Sequence, residues 1–191
     1  MIENKVQTGH DPLSVELLQS VVDVARAFFG AQASSLFLLD EERNELVFQS
    51  VSGQGEGFLV GRRFPAQSGI AGWVVATGEP MVVDDLSRDG TFDRGLAEST
   101  RYVPNSLMAA PLVHHDRILG VLEVLDPVPQ SRSSLNELDL LALFARQAAT
   151  ALRIVVDRGR PADPEPALDG SGRTAARELL QSLQRMLGSP V

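Results

Sequence analysis

The stretch Gly69-Ile70-Ala71-Gly72-Trp73-Val74-Val75-Ala76-Thr77-Gly78-Glu79-Pro80, followed at once by Met81-Val82-Val83-Asp84-Asp85, decides the fold. It reads as a short helix over Ser68 to Thr77. The Ser68 hydroxyl is placed to cap the first amide N–H groups, which have no partner inside a helix. Gly78 suits the left-handed residue that follows a helix, and Pro80 cannot continue one. Met81 to Asp84 then reads as a strand. A helix–Gly–x–Pro–strand joint this tight narrows the fold more than composition does.

Upstream, a helix is predicted from about Leu13 to Phe29, with Asp11 and Pro12 at its cap and first turn. Leu17, Leu18, Val21, Val24, Ala25 and Phe28 recur at helical spacing. Ser34 to Asp40 and Glu45 to Ser52 form the arms of a hairpin around Glu41-Glu42-Arg43-Asn44. The glycine-rich loop Ser52 to Gly57 leads to a third strand over Phe58 to Phe64. Downstream, a polar stretch from Leu86 to Pro104 holds a short helix near Thr91 to Ser99. Ser106 to Val113 and Arg117 to Asp126 pair around His114-His115-Asp116. Ser134-Leu135-Asn136-Glu137 is a capping box that opens a long helix to about Val156. The sum is an α+β two-layer fold, about six antiparallel strands between two terminal helices.

The pattern breaks after Asp157. Residues 158–172 are rich in proline and glycine and read as a linker. Residues 173–188 follow as an amphipathic helix with Ala176, Leu179, Leu180, Leu183, Met186 and Leu187 on one side. A lone helix of this length is marginal in water, so it should dock on its own domain, a second copy or a partner. Residues 1–12 are a polar tail, residues 13–157 the folded domain.

Composition removes several function classes. The 191 residues include no cysteine and carry a net charge of −8. Disulfides, thiolate catalysis, cysteine-ligated metal and thioether-linked pigments are thereby excluded. Basic residues are scattered, with Arg62-Arg63 the one adjacent pair in the folded domain, so neither nucleic acid nor an anionic membrane surface is an expected partner. No apolar run approaches the roughly 18–20 residues of a membrane span, and Met1 to Pro12 is unlike a secretory signal. A cytoplasmic protein is expected.

Four blocks in order resemble the GAF domain family, the small-molecule-sensing modules of signalling proteins. They are Ser68 to Pro80; Val82 to Asp85 followed by Phe92; Ser106 to Leu112; and Ile118 to Leu125. The resemblance covers about residues 13 to 157. It implies a central antiparallel sheet with the terminal helices on one face and, in many members, a lidded ligand pocket on the other. A PAS domain shares the antiparallel sheet, but the order of the blocks fits it worse. Family members bind cyclic nucleotides, tetrapyrroles, haem, amino acids or other metabolites, and some bind nothing. The cyclic-nucleotide members often carry an Asn-Lys…Phe…Asp-Glu constellation. Here the sole lysine, Lys5, precedes the domain, so it cannot serve.

Candidate ligand-binding residues are Phe37, Phe48, Trp73, Asp84, Phe92, Met108 and Glu123. Asp84 falls where the family places a strand-end aspartate beside the pocket; it either accepts hydrogen bonds from a ligand or orders the following loop. Glu123 stands in an apolar strand, where an unpaired carboxylate costs several kcal/mol. Facing a pocket, pairing with an arginine or lying near a sheet edge would each explain it. Trp73, Phe37, Phe48 and Met108 are pocket walls or core packing. His114-His115 sits in a hairpin turn and makes a poor metal site. Arg62-Arg63 meets an anion or is a solvated strand end. The cysteine-dependent free methionine sulfoxide reductases and covalent bilin receptors of the family are excluded, and no nucleophile–base arrangement or Walker sequence is visible. A non-enzymatic role is expected, with the bound molecule unidentified.

Leu138, Leu141, Ala145, Ala148, Leu152 and Val155 alternate spacings of three and four, a heptad seam. Terminal helices commonly pair between subunits in this family. A parallel homodimer is therefore expected through that seam with Leu17 and Val21, unless the sheet consumes every apolar residue. The leading reading is a sensor whose dimer or C-terminal helix passes a signal to an output protein. The alternative is a ligand-free interaction module on the same fold. The chain would be a stand-alone sensor or adaptor, or a piece of a longer protein.

Overall fold

A computed structural model describes residues 12–128 and 136–159, with the side chains of residues 13, 14 and 154–159 left aside. The elements run in the order α1 (Pro12–Phe29), β1 (Ala33–Asp40), β2 (Glu45–Gly53), β3 (Arg63–Pro65), α2 (Gly69–Thr77), β4 (Met81–Val83), α3 (Arg94–Ser99), β5 (Leu107–His114), β6 (Arg117–Leu125) and α4 (Glu137–Gly159). The strands form one antiparallel sheet ordered β3-β2-β1-β6-β5-β4. Both terminal helices and the six strands of the sequence reading are present. The Ser134 cap, the proline-rich segment and the helix expected over 173–188 lie outside the described residues.

The central joint forms as its residues dictate. Gly78 takes φ +73°, and its N–H donates to the Val74 carbonyl at 2.9 Å, closing α2. Ser68 sits at the N-cap with extended backbone, but its hydroxyl makes no cap hydrogen bond. The predicted third strand is shorter than expected. Phe58 to Arg62 turns, with Gly55 and Gly61 at positive φ, and only Arg63–Pro65 pairs with β2.

Alternation along the strands divides the core into two clusters, one per face of the sheet. On one face Leu36 and Leu38 of β1, Met108 and Ala110 of β5, and Leu122 and Val124 of β6 meet the helix layer. On the other face Phe37, Leu107, Ala109 and Val121 meet α2 and the loops. Gly120 makes the central pairing possible, because a Cβ there would lie 1.9 Å from the Phe37 carbonyl oxygen.

The helix layer corrects the expected dimer seam. Leu141, Ala145, Ala148 and Leu152 are buried against the sheet and are not available to a partner. Leu138, Leu17 and Val21 are half-buried, and the side chain of Val155 lies outside the described residues. The inward stripe of α1 is Leu18, Val22, Ala25 and Phe29, while Val24 and Phe28 of the predicted stripe are exposed. This helix is apolar over more than one face, so periodicity alone does not choose between them.

Candidate functional site

The face away from α1 and α4 encloses a cavity of about 80 Å³. About 10–15 Å³ on this measure suffices for one water, so the space admits several waters or a small molecule. Ser35 of β1, Glu123 and Leu125 of β6 and Leu107 of β5 form its floor. Phe37, Phe48 and Phe64 form one wall, their ring centroids 4.5 to 5.6 Å apart and their planes steeply inclined. The first turn of α2, Phe92, α3 and Leu59 close the other sides.

Glu123 is the chemical centre of this space. It sits on an interior strand, paired with Ser35 on one side and Ala109 on the other. Only 8% of its surface is exposed, and its carboxyl has no hydrogen bond or ion pair with any described residue. Burial alone pushes its pKa from the ordinary 4.5 up to about 8. Buried polar groups are nearly always hydrogen-bonded, and with no partner among the described residues this carboxyl depends on whatever occupies the cavity to supply one. The neighbouring Ser35 hydroxyl, also buried, makes no hydrogen bond to a described residue. Its strand neighbour Ser34 faces the helix layer and donates to the Glu123 backbone carbonyl at 3.0 Å.

Three other polar side chains around the cavity, Asp93, Thr100 and Tyr102, are hydrogen-bonded within the domain. Asp93 caps α3, accepting from the Leu96 N–H at 2.9 Å. Thr100 donates to the Ala97 carbonyl at 2.7 Å. The Tyr102 hydroxyl donates to Asp126, and burial together with that bond holds its pKa above the ordinary value. Asp126 also accepts from the Asn105 and Ser106 N–H groups, at 2.8 and 2.9 Å. Outside the cavity lining, the β2–β3 loop is tied to the end of α3: Arg62 donates to the Ser99 carbonyl at 2.9 Å, and the Arg101 guanidinium lies 4.9 Å from the Phe58 ring centroid.

Of the residues expected at a ligand site, Phe37, Phe48, Phe92 and Glu123 converge on this cavity. Three do not. Met108 belongs to the core under the helices: it pairs with Val124, one residue out of phase with the pocket-facing Glu123. Asp84 is exposed and outside the cavity lining, and the following loop is ordered by Asp85 and Asp89 instead. Trp73 is half-buried and packs α2 onto the pocket-side core, outside the lining. Arg63 is paired with Asp40 at 2.8 Å and Glu45 at 3.1 Å. Ser35, Leu59 and Tyr102 carry no site role in the sequence reading, and Ser68 appears there only as a helix cap. Ser35 carried the one usable signal, a polar residue beginning an apolar strand.

Among the described residues no group of three or more His, Asp or Glu could hold a metal ion. His114 ends β5 and His115 enters the turn at φ +52°. No described helix is long and apolar enough to cross a membrane.

Comparison with known proteins agrees with this architecture. The family model described as GAF domain matches residues 15–152. A probable 3',5'-cyclic phosphodiesterase of Caenorhabditis elegans, pde-5, is 25% identical over 127 residues, covering 61% of this chain and 17% of the relative. The chain thus spans less than a fifth of that relative's length. The GAF domain of a Coxiella burnetii phosphoenolpyruvate-protein phosphotransferase superposes with a TM-score of 0.68 at 19% identity, over 80% of this chain and 89% of that one. The GAF-B domain of DevS from Mycobacterium smegmatis gives 0.60 at 21% identity, over 77% and 98%. With the family match running from α1 into α4, on the same antiparallel sheet, this chain belongs to the GAF domain family.

Proposed function

We propose that this GAF domain is a cytoplasmic regulatory module that binds a small molecule in the cavity over its sheet and does no chemistry on it. The observation that carries the reading is Glu123, an unpartnered carboxyl at the floor of an aromatic-walled cavity. A fold under no demand but stability would place an apolar residue of similar size there, as it does at Phe37, Leu107, Ala109 and Val121 on the same face. A ligand that supplies the missing partner stabilises the bound state by its own binding free energy. A signal arises when the ligand favours one of two arrangements of the domain and its outputs.

Outward transmission is assigned to the helix layer, to a second copy of the chain or to an output protein. The buried heptad positions cannot make that contact, so it falls to the exposed apolar residues of the same helices. Phe28 is 42% exposed and Leu143 41%, with Val24 exposed beside them on α1. Phe28 reaches α4 by stacking on Phe144 at 5.3 Å between centroids. These residues also support a second reading, in which the domain serves as an interaction module alone.

Native mass spectrometry of the purified chain, repeated under denaturing conditions, separates the two. A small mass that leaves on denaturation supports the sensor. A dimer without such a mass, unresponsive to metabolite extract, supports the interaction module. A bare monomer at micromolar concentration removes the helix-pairing route.

A further inference from the structure

Granting the cavity as a ligand site, as proposed above, we infer that its occupant carries a protonated nitrogen, an amine or amidine on a small aromatic or apolar body, and not a carboxylate or phosphate. Two carboxyl groups, Glu123 and Asp93, line the cavity, and no lysine, arginine or histidine does. Tyr102 is the remaining titratable group there, and its hydroxyl is held by Asp126. An anion entering this space would have to shed its water with no lysine, arginine or histidine among the lining residues to supply a countercharge. The positive end of α2 also faces the cavity through Ser68 and Gly69. It is a partial charge, and a helix end alone does not offset the desolvation of an anion.

The geometry suits a nitrogen cation. The Glu123 carboxyl accepts its N–H groups, and the Ser35 hydroxyl on the paired residue accepts another. The rings of Phe37, Phe48, Phe64 and Phe92 receive its body, and a cation over the face of an aromatic ring is further stabilised by the ring quadrupole. Burial makes Glu123 alone a poor anion; beside a cation it ionises, so binding releases a proton near neutral pH.

The test uses three probes of one shape and different charge: benzamidine, benzamide and benzoate. Each is titrated into the full 15N-labelled chain at pH 7 while the amide spectrum is followed. Benzamidine is expected to shift Ser35 and Glu123 and to bind at least tenfold tighter than benzamide, with benzoate weakest. In wild type its affinity should rise between pH 6 and 8.5, where benzamidine stays protonated and the carboxyl ionises. Glu123→Gln keeps the side-chain shape, and its amide spectrum reports its fold. In that variant the preference for benzamidine should fall at least tenfold and its pH dependence should vanish. Benzamide or benzoate binding at the same residues as tightly as benzamidine overturns the inference and leaves the ligand site standing. Benzamidine shifts confined to the acidic outer surface overturn it as well. Silence of the cavity residues towards all three probes, with no adduct in the native mass spectrum, overturns the ligand site itself.

Discussion

Replacing Glu123 by glutamine should make the domain more stable at neutral pH, not less. The carboxyl has an ordinary pKa of 4.5 when unfolded and about 8 when folded. The folded state therefore holds the proton more tightly. Between those values the unfolded state has released its proton while the folded state retains it, so stability falls as pH rises from about 4.5 and levels off above about 8. Each tenfold step is worth about 1.4 kcal/mol, which gives ~3 kcal/mol lost by pH 7 and about 5 kcal/mol above pH 9. Glutamine is uncharged throughout and, like the protonated acid, buries one unpartnered polar group. The two proteins should match near pH 4.5 and diverge steadily above it. Urea unfolding followed by the fluorescence of Trp73, the single tryptophan, reads the difference at half-unit steps from pH 4.5 to 9. Asp40, held down to about 2 mainly by its hydrogen bond from Arg63, acts at lower pH, and Tyr102 acts above its ordinary range. Against a typical stability of about 5–15 kcal/mol the effect is large. Parallel stability curves across the whole range would show that the carboxyl is solvated or paired, and the reasoning about the cavity would go with it.

Three further outcomes follow from the same coordinates. Gly120→Ala places a methyl group 1.9 Å from the Phe37 carbonyl oxygen and must part the two central strands, so a loss of about 4 kcal/mol or failure to accumulate as folded protein is expected by circular dichroism and urea titration. Arg63→Gln removes the main partner of Asp40; the Asp40 carboxyl should titrate higher in an NMR pH series, and the stability it lends above its unfolded pKa, lost as pH falls through about 2, should shrink in acid unfolding. Leu152→Ala should cost about 2–5 kcal/mol with no change in oligomeric state, whereas Val24→Ser with Leu143→Ser, at two exposed positions, should cost clearly less and weaken any self-association in sedimentation equilibrium.

The sequence disclosed the strand and helix order because its punctuation is local. Gly78 adopts the left-handed geometry its position suggested, and the strands fall within a residue or two of their expected ends wherever a hairpin turn bounds them. Phe58 to Phe64 misled because an apolar end residue and alternation outweighed two glycines that turn the chain. Face assignment was the harder problem. Period-two alternation separates the sides of each strand but does not state which side a neighbouring strand presents. Met108 and Ala109 are both buried, so that strand carried no polar marker, and Met108 went to the wrong side. Glu123 carried such a marker, and it lies where an open pocket explains it. The heptad seam of α4 failed for a related reason. A helix covering a sheet and a helix covering another helix both want apolar residues at spacings of three and four, and the sheet has first claim because it is covalently near.

Glu123 and the helix layer meet through one strand. Its carboxyl lies in the cavity, its carbonyl accepts from Ser34, and its neighbours Leu122 and Val124 pack on the opposite side with Leu18, Leu141 and Leu152. A ligand that ionises this carboxyl changes the charge and hydration of a residue one peptide away from the contacts that seat α1 and α4. Interiors are close-packed, so even sub-ångström movement of an interior strand must be taken up by its neighbours. The route from cavity to helix layer is thus as short as a sheet allows, and it needs no moving loop. It also explains why a residue that weakens the empty fold would persist. A cavity already satisfied by its own side chains would be more stable and would gain less from a ligand, whereas an unmet carboxyl leaves the empty and filled states separated by the free energy of one buried ionic contact, which is the difference a sensor must transmit.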